Sequence, residues 1–273
     1  MLKYLLAFLL VFGVSPLFAQ SFDTEFETQF VWEVKQINEF IERFNNSDST
    51  LLKQYIKKQE PSKLLTRERL IIGLFNAQGK DWDLTQVKSF IAFADDKKNP
   101  RYLNFYGDNW YAKVTCAVMW KGNAENVLLT LQLQRVQNGP GYKWVVTKAE
   151  APFLKTIANN KPPGSLPFRM PLAIDSTVSL NPMSHATDFM RIDQLSNDKN
   201  NIANYFTDPD ACDAQTQQFA QECISGRLKV KNAETITYDF KQIKGWDIEI
   251  QQYNRTGNNS GWLISKLTKR ATD

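Results

Sequence analysis

Between Val114 and Val146 the apolar residues recur at every second position, a period that suits a strand with one buried face and excludes a helix. Val114, Cys116, Val118 and Trp120 fall on one side, with Lys113, Thr115 and Ala117 on the other. Lys121-Gly122-Asn123 turns the chain. Val127, Leu129, Leu131 and Leu133 then form the inner side of a second strand, backed by Thr130, Gln132 and Gln134. After Asn138-Gly139-Pro140-Gly141, Tyr142, Trp144 and Val146 begin a third. This pattern predicts an antiparallel meander with one buried face.

Upstream the period is helical. Phe26, Phe30, Val34, Ile37, Ile41 and Phe44 recur every three or four residues, predicting a helix over 24–45 that Asn45-Asn46-Ser47-Asp48 ends. Shorter helices are expected over 50–58 and 66–77, separated by Pro61, with Thr66 as a cap. From Lys161 to Pro182 the prolines 162, 163, 167, 171 and 182 predict an extended linker, and Asn181-Pro182 opens a helix through Phe189, Ile192 and Leu195.

The last third returns to period two, through Ile236, Tyr238 and Phe240, then Trp246, Ile248 and Ile250, then Trp262, Ile264 and Leu267. Its ending, Gly261-Trp262-Leu263-Ile264-Ser265-Lys266, parallels Lys143-Trp144-Val145-Val146-Thr147-Lys148. An internal duplication accounts for this match, and so does the generic likeness of two long hairpins.

The first twenty residues bear on compartment. Lys3, the apolar run Leu5 to Val14 and Ala19 before Gln20 have the three-part layout of a secretory signal peptide over 1–19. The apolar core is too short to span a bilayer, and no Cys near Ala19 could accept a lipid. A periplasmic or secreted protein is expected. The formal charge of +4 falls by one when Lys3 is removed, too little to suggest nucleic acid. The 42% hydrophobic and 12% aromatic content supports a packed core.

Three cysteines, Cys116, Cys212 and Cys223, allow one internal bridge at most. Asp213 to Ser225 reads as a helix with Asp213 as cap and Gly226 as stop. Eleven helical steps would hold Cys212 and Cys223 roughly 16 Å apart, where a disulfide needs less than ~7 Å. The spacing therefore argues against a bridge that the compartment would permit. Cys116 reads as a small core residue.

The long helix ending Phe40-Ile41-Glu42-Arg43-Phe44-Asn45-Asn46-Ser47-Asp48, the short helices, and the meander closing on Lys143-Trp144-Val145-Val146 resemble the NTF2-like superfamily of α+β cones. The resemblance covers about 22–154, with a looser, shortened copy over 182–273. It implies an α+β chain with helices packed on curved antiparallel sheets. Two NTF2-like domains, 20–154 and 182–273, would be joined by a Pro-rich linker over 155–181. It also implies an apolar pocket at each cone's mouth. Members include enzymes such as ketosteroid isomerases and many non-catalytic binding or assembly domains, so the fold does not decide the function.

Few residues carry chemistry. His185 is the only histidine, which excludes a three-histidine zinc site and a histidine acid–base pair. It sits in Ser184-His185-Ala186-Thr187-Asp188, either as part of a small polar site or seating a helix. There is no Gly-x-Ser-x-Gly elbow, phosphate loop or dinucleotide fingerprint. Asp208-Pro209-Asp210-Ala211-Cys212-Asp213 lacks the glycine and distal Glu of a calcium loop and complements a helix dipole instead. Asp108, Tyr106 and Tyr111 are the candidates for an isomerase-like pocket. Trp110, Trp120 and Trp144, with His185, are the candidate ligand-binding residues. Asp48-Ser49-Thr50 and Asp175-Ser176-Thr177 match a short bacterial O-glycosylation pattern at Ser49 and Ser176.

The expectation is an exported, non-catalytic binding or assembly module without cofactor or metal. Its partner is a protein or a small apolar ligand, with homo-oligomerisation open and neither nucleic acid nor a membrane span. A ketosteroid-isomerase-like enzyme is the alternative.

Overall fold

The computed structural model describes residues 32–47, 50–59, 65–78, 82–136, 141–160, 170–175, 177–181, 189–208 and 211–271. The chain forms two compact units. Unit 1 holds residues through Tyr102 together with Gln252–Ile264, and unit 2 holds Leu103–Gln251 with Ser265–Asp273.

Unit 1 carries helices α1 (Ile37–Asn45), α2 (Leu51–Gln59), α3 (Arg67–Gly73) and α4 (Leu84–Ala94). Asn46 closes α1 in the left-handed conformation, as the Asn45-Asn46 break requires. The Thr66 hydroxyl caps α3 by accepting from the Arg69 amide. Of the helix expected over 24–45, the described residues form the part from Ile37 to Asn45, and the chain before Ile37 takes another course. Val34 lies in a parallel bridge to Gly261, donating to the Ser260 carbonyl at 3.1 Å while its carbonyl accepts from the Trp262 amide at 2.8 Å. A long-range pairing has taken the backbone groups that a helix would have used. The same competition shortens α3. Phe75 bridges Ile264, so the helix stops at Gly73 rather than reaching Ala77. Helix α4 was not expected from the periodicity, although Asp83 caps it with bonds from the Thr85 and Gln86 amides.

Unit 2 is built on the sheet. The strands are β1 (Trp110–Trp120), β2 (Asn123–Arg135), β3 (Tyr142–Glu150), β4 (Leu228–Phe240), β5 (Trp246–Tyr253) and β6 (Gly261–Lys269), in the order β3-β2-β1-β4-β5-β6, and residues 252–253 of β5 and 261–264 of β6 are counted in unit 1. The alternation in β1 and β2 is as the sequence predicts, with Val114, Cys116, Val127 and Leu129 fully buried. Lys121 and Gly122 both take positive φ, as a two-residue hairpin turn demands. The central seam is β1 against β4, antiparallel from Trp110↔Phe240 to Trp120↔Leu228 with two register shifts. The two meanders therefore run outward from one seam, the placement that an internal repeat would give.

The α+β class holds, but two separate cone domains divided at 155–181 are not shown. The strands expected in both domains share this single sheet. Within 155–181, the first residues are helical, while the described residues 170–175 and 177–181 carry no helix or strand. Residues up to Asn159 continue α5 (Pro152–Asn159), which Pro152 opens at its first turn. Farther on, the Trp144 amide donates to the Leu180 carbonyl at 3.0 Å, and the Thr207 amide donates to the Val146 carbonyl at 3.1 Å. These bonds line the outer edge of β3.

Residues 182–188 of the helix expected through Phe189, Ile192 and Leu195 lie outside the described residues, and its described part forms the turn α6 (Gln194–Asn197), followed by a 3₁₀ segment, Lys199–Tyr205. Phe189 itself has φ 58° and cannot belong to a right-handed helix. Helix α7 (Ala214–Ser225) has the expected Asp213 cap and Gly226 stop, and packs on β3, β4 and α5. Cys212, Cys223 and Cys116 are all free and buried. On α7, the buried Glu222 carboxylate accepts from Trp120 Nε1 at 3.1 Å, Gln218 Nε2 at 2.9 Å, and Arg227 Nε and Nη2 at 2.9 and 2.7 Å.

Candidate functional site

The site lies in unit 1 and follows from how α3 is held. Arg67 faces inward, and its guanidinium is consumed by the chain. Nε donates to the Phe44 carbonyl at 2.9 Å, Nη1 to the Ala94 carbonyl at 2.8 Å and Nη2 to the Arg101 carbonyl. Asp95 lies 3.6 Å away, and burial lowers the Arg67 pKa from its ordinary value. With Arg67 fixed, Leu70, Gly73 and Leu74 follow at the helical spacing of three and four, where they line a cavity of about 340 Å³.

The walls are apolar. Leu52 and Ile56 of α2 form a buried cluster with Leu70, against which Trp32, Tyr55 and Leu65 pack. Trp32, Leu52 and Leu65 line the cavity. Its volume is near the lower end of the ~300–1,000 Å³ typical of small-molecule pockets. Gly73 leaves room as well, since a Cβ there would meet no atom within 4 Å.

Two guanidiniums and two amides complete the lining. Arg43 is nearly buried and committed to structure. Its Nη1 donates to the Trp32 carbonyl at 2.7 Å, and its Nη2 donates to the Glu33 carbonyl at 2.8 Å and Glu39 Oε1 at 2.6 Å. Arg69 is exposed and has no carboxylate partner among the described residues. Asn258 is exposed beside it in the lining.

Asn259 is a clamp. Its Nδ2 donates to the carbonyls of Gly73 at 3.2 Å and Phe75 at 2.8 Å, while its Oδ1 accepts from the Ala77 amide at 3.0 Å and Arg255 Nη2 at 2.7 Å. Those four bonds meet the full capacity of an amide side chain. Gly261 lets the hairpin tip approach at all. At φ +81° it lies where only glycine is comfortable, and a Cβ would overlap the Val34 backbone.

The candidates expected from the sequence lie elsewhere. Trp110 is 1% exposed, stacked on Phe240 at 4.7 Å and edge-on to Trp144 at 5.2 Å, with Nε1 donating to the Phe105 carbonyl. Trp144, also buried, packs on Phe189. These two rings fill the space under the sheet. Trp120 is half-buried, stacked on Phe153 at 4.5 Å and bonded to Glu222. His185, Ser49 and Ser176 lie outside the described residues.

Tyr106 and Asp108 are exposed on their loop, Tyr106 packing against Tyr142 at 4.6 Å, so no buried acid–base pair forms there. Burial raises the Cys116 thiol to about 12 and Cys212 to about 11, far from a reactive thiolate. Among the described residues no group of three His, Cys, Asp or Glu gathers as a metal site needs. Nor is any described helix long and apolar enough to cross a membrane.

Sequence reasoning did not single out any cavity residue as a ligand contact. Leu52, Leu65 and Leu70 read as ordinary core positions of short helices. Asn258 and Asn259 carry no local sign of meeting α3, some 185 positions earlier. Comparison with protein-family models, curated proteins and solved structures finds no match.

Proposed function

We propose that this protein is an exported, non-catalytic binding module that takes a small apolar ligand in the cavity of unit 1. The observation that carries this reading is the 340 Å³ volume walled by Trp32, Leu52, Leu65, Leu70 and Leu74. Apolar walls left unburied forgo stabilisation that a bound apolar group would supply. The leader pattern over 1–19 supports work outside the cytoplasm. The α+β build supports an NTF2-like ancestry, in which non-catalytic binding domains are frequent. The exposure of Asp108 and Tyr106 counts against the isomerase-like alternative.

A neutral fluorescent probe, 1-aminoanthracene, tests the reading by titration. Saturable binding at one site is expected, weakened about tenfold or more in Gly73→Phe and in Leu70→Trp, which fill the hollow from two sides. Binding that does not saturate, or that both variants leave unchanged, would overturn it.

A further inference from the structure

We propose that the ligand is an anionic single-chain amphipath, a free monocarboxylate whose tail lies among Leu52, Leu70 and Leu74 and whose head meets Arg69. The inference rests on the cavity reading above and adds the head group. The lining contains two guanidiniums and no carboxylate. Arg43 is spent on Glu39 and two backbone carbonyls, so it organises the wall rather than receiving a ligand. Arg69 keeps its charge exposed at the lining with no ion partner among the described residues. An exposed guanidinium beside apolar walls can answer an anionic head while the walls take an apolar tail.

A guanidinium offers a planar fork that fits a carboxylate, and the Asn258 amide supplies a further donor in the same lining. A cavity of 340 Å³ lies at the small end of ligand sites, which suits a chain of medium length. Decanoate is such a chain.

The test compares decanoate with decanol, monomeric and at fixed ionic strength, by calorimetric titration of the wild type, Arg69→Gln and Arg69→Lys. Decanoate is expected to bind the wild type about three- to fivefold more tightly, the range that an exposed ion pair supplies. Arg69→Gln should erase this preference, and Arg69→Lys, which keeps the charge but not the planar fork, should keep part of it. Equal affinity of the two ligands, or a preference that survives Arg69→Gln, would overturn the head group and leave the cavity reading standing. Failure of both ligands to bind the wild type would overturn both readings. Association with phosphatidylglycerol vesicles without monomeric decanoate binding would assign Arg69 to a membrane surface and overturn the proposal.

Discussion

Asn259 Nδ2 donates to the Phe75 carbonyl at 2.8 Å across 184 positions of chain. This bond, with those to Gly73 and Ala77, ties the end of α3 to the β5–β6 tip. Asn259→Ala would remove one partner each from two carbonyls, the Ala77 amide and the Arg255 guanidinium. We expect a loss of about 2–3 kcal/mol in urea denaturation, given ~1 kcal/mol for each hydrogen bond removed. Weaker 1-aminoanthracene binding should accompany it. A loss below half a kcal/mol would show that the clamp is solvent-satisfied.

Gly261 is required for a different reason. Its φ of +81° alone would cost another residue about 1–3 kcal/mol, and overlap with Val34 adds to that. Gly261→Ala should therefore destabilise the protein severely. Gly73→Ala, in open space at the end of a helix, should instead stabilise it by about 0.5–1 kcal/mol. Thermal melts of the two variants should move in opposite directions.

Glu222 gives unit 2 a pH dependence with a definite sign. Burial acts to raise its pKa, but the bonds from Arg227, Trp120 and Gln218 outweigh it and hold the carboxyl below its ordinary 4.5. A depressed pKa stabilises the fold fully above the unfolded value, and that stability is lost as pH falls through the folded one. Wild-type stability should thus fall from about pH 4.5 downward, and Glu222→Gln should flatten part of that fall. At pH 7 the variant should lose about 2 kcal/mol, the scale of a charged hydrogen-bond set. A parallel pH profile for the two proteins would contradict this.

Trp110 separates core from binding surface. Trp110→Ala should cost about 3–5 kcal/mol by cavity formation while leaving probe affinity in unit 1 unchanged in the folded fraction. Loss of probe binding without loss of stability would restore Trp110 as a ligand contact.

The strands were legible because their period is local. Val127 to Leu133 announces its buried face within seven residues, and Asp213 and Gly226 bracket α7 with residues whose cap chemistry is equally local. What could not be read depends on distant pairing. Val34 fits a helical stripe, yet the Ser260 and Trp262 backbone groups claim it. Trp110 and Trp144 have the composition of a ligand wall, but whether such rings line a void or fill one depends on what opposes them, here Phe240 and Phe189. The cavity arises where α2, α3 and the 258–259 tip meet, and no single segment encodes it.

The edges of the sheet bear on self-association. At β3, residues Leu180 and Phe206 make single-residue bridges, and at β6 residues Val34 and Phe75 do the same. Each edge strand therefore has some outward backbone groups already paired by a short piece of its own chain. A second copy seeking to lengthen the sheet would first have to peel these pieces away. Growth by edge-to-edge addition, the common route to fibrils, is thus obstructed at these bridged positions.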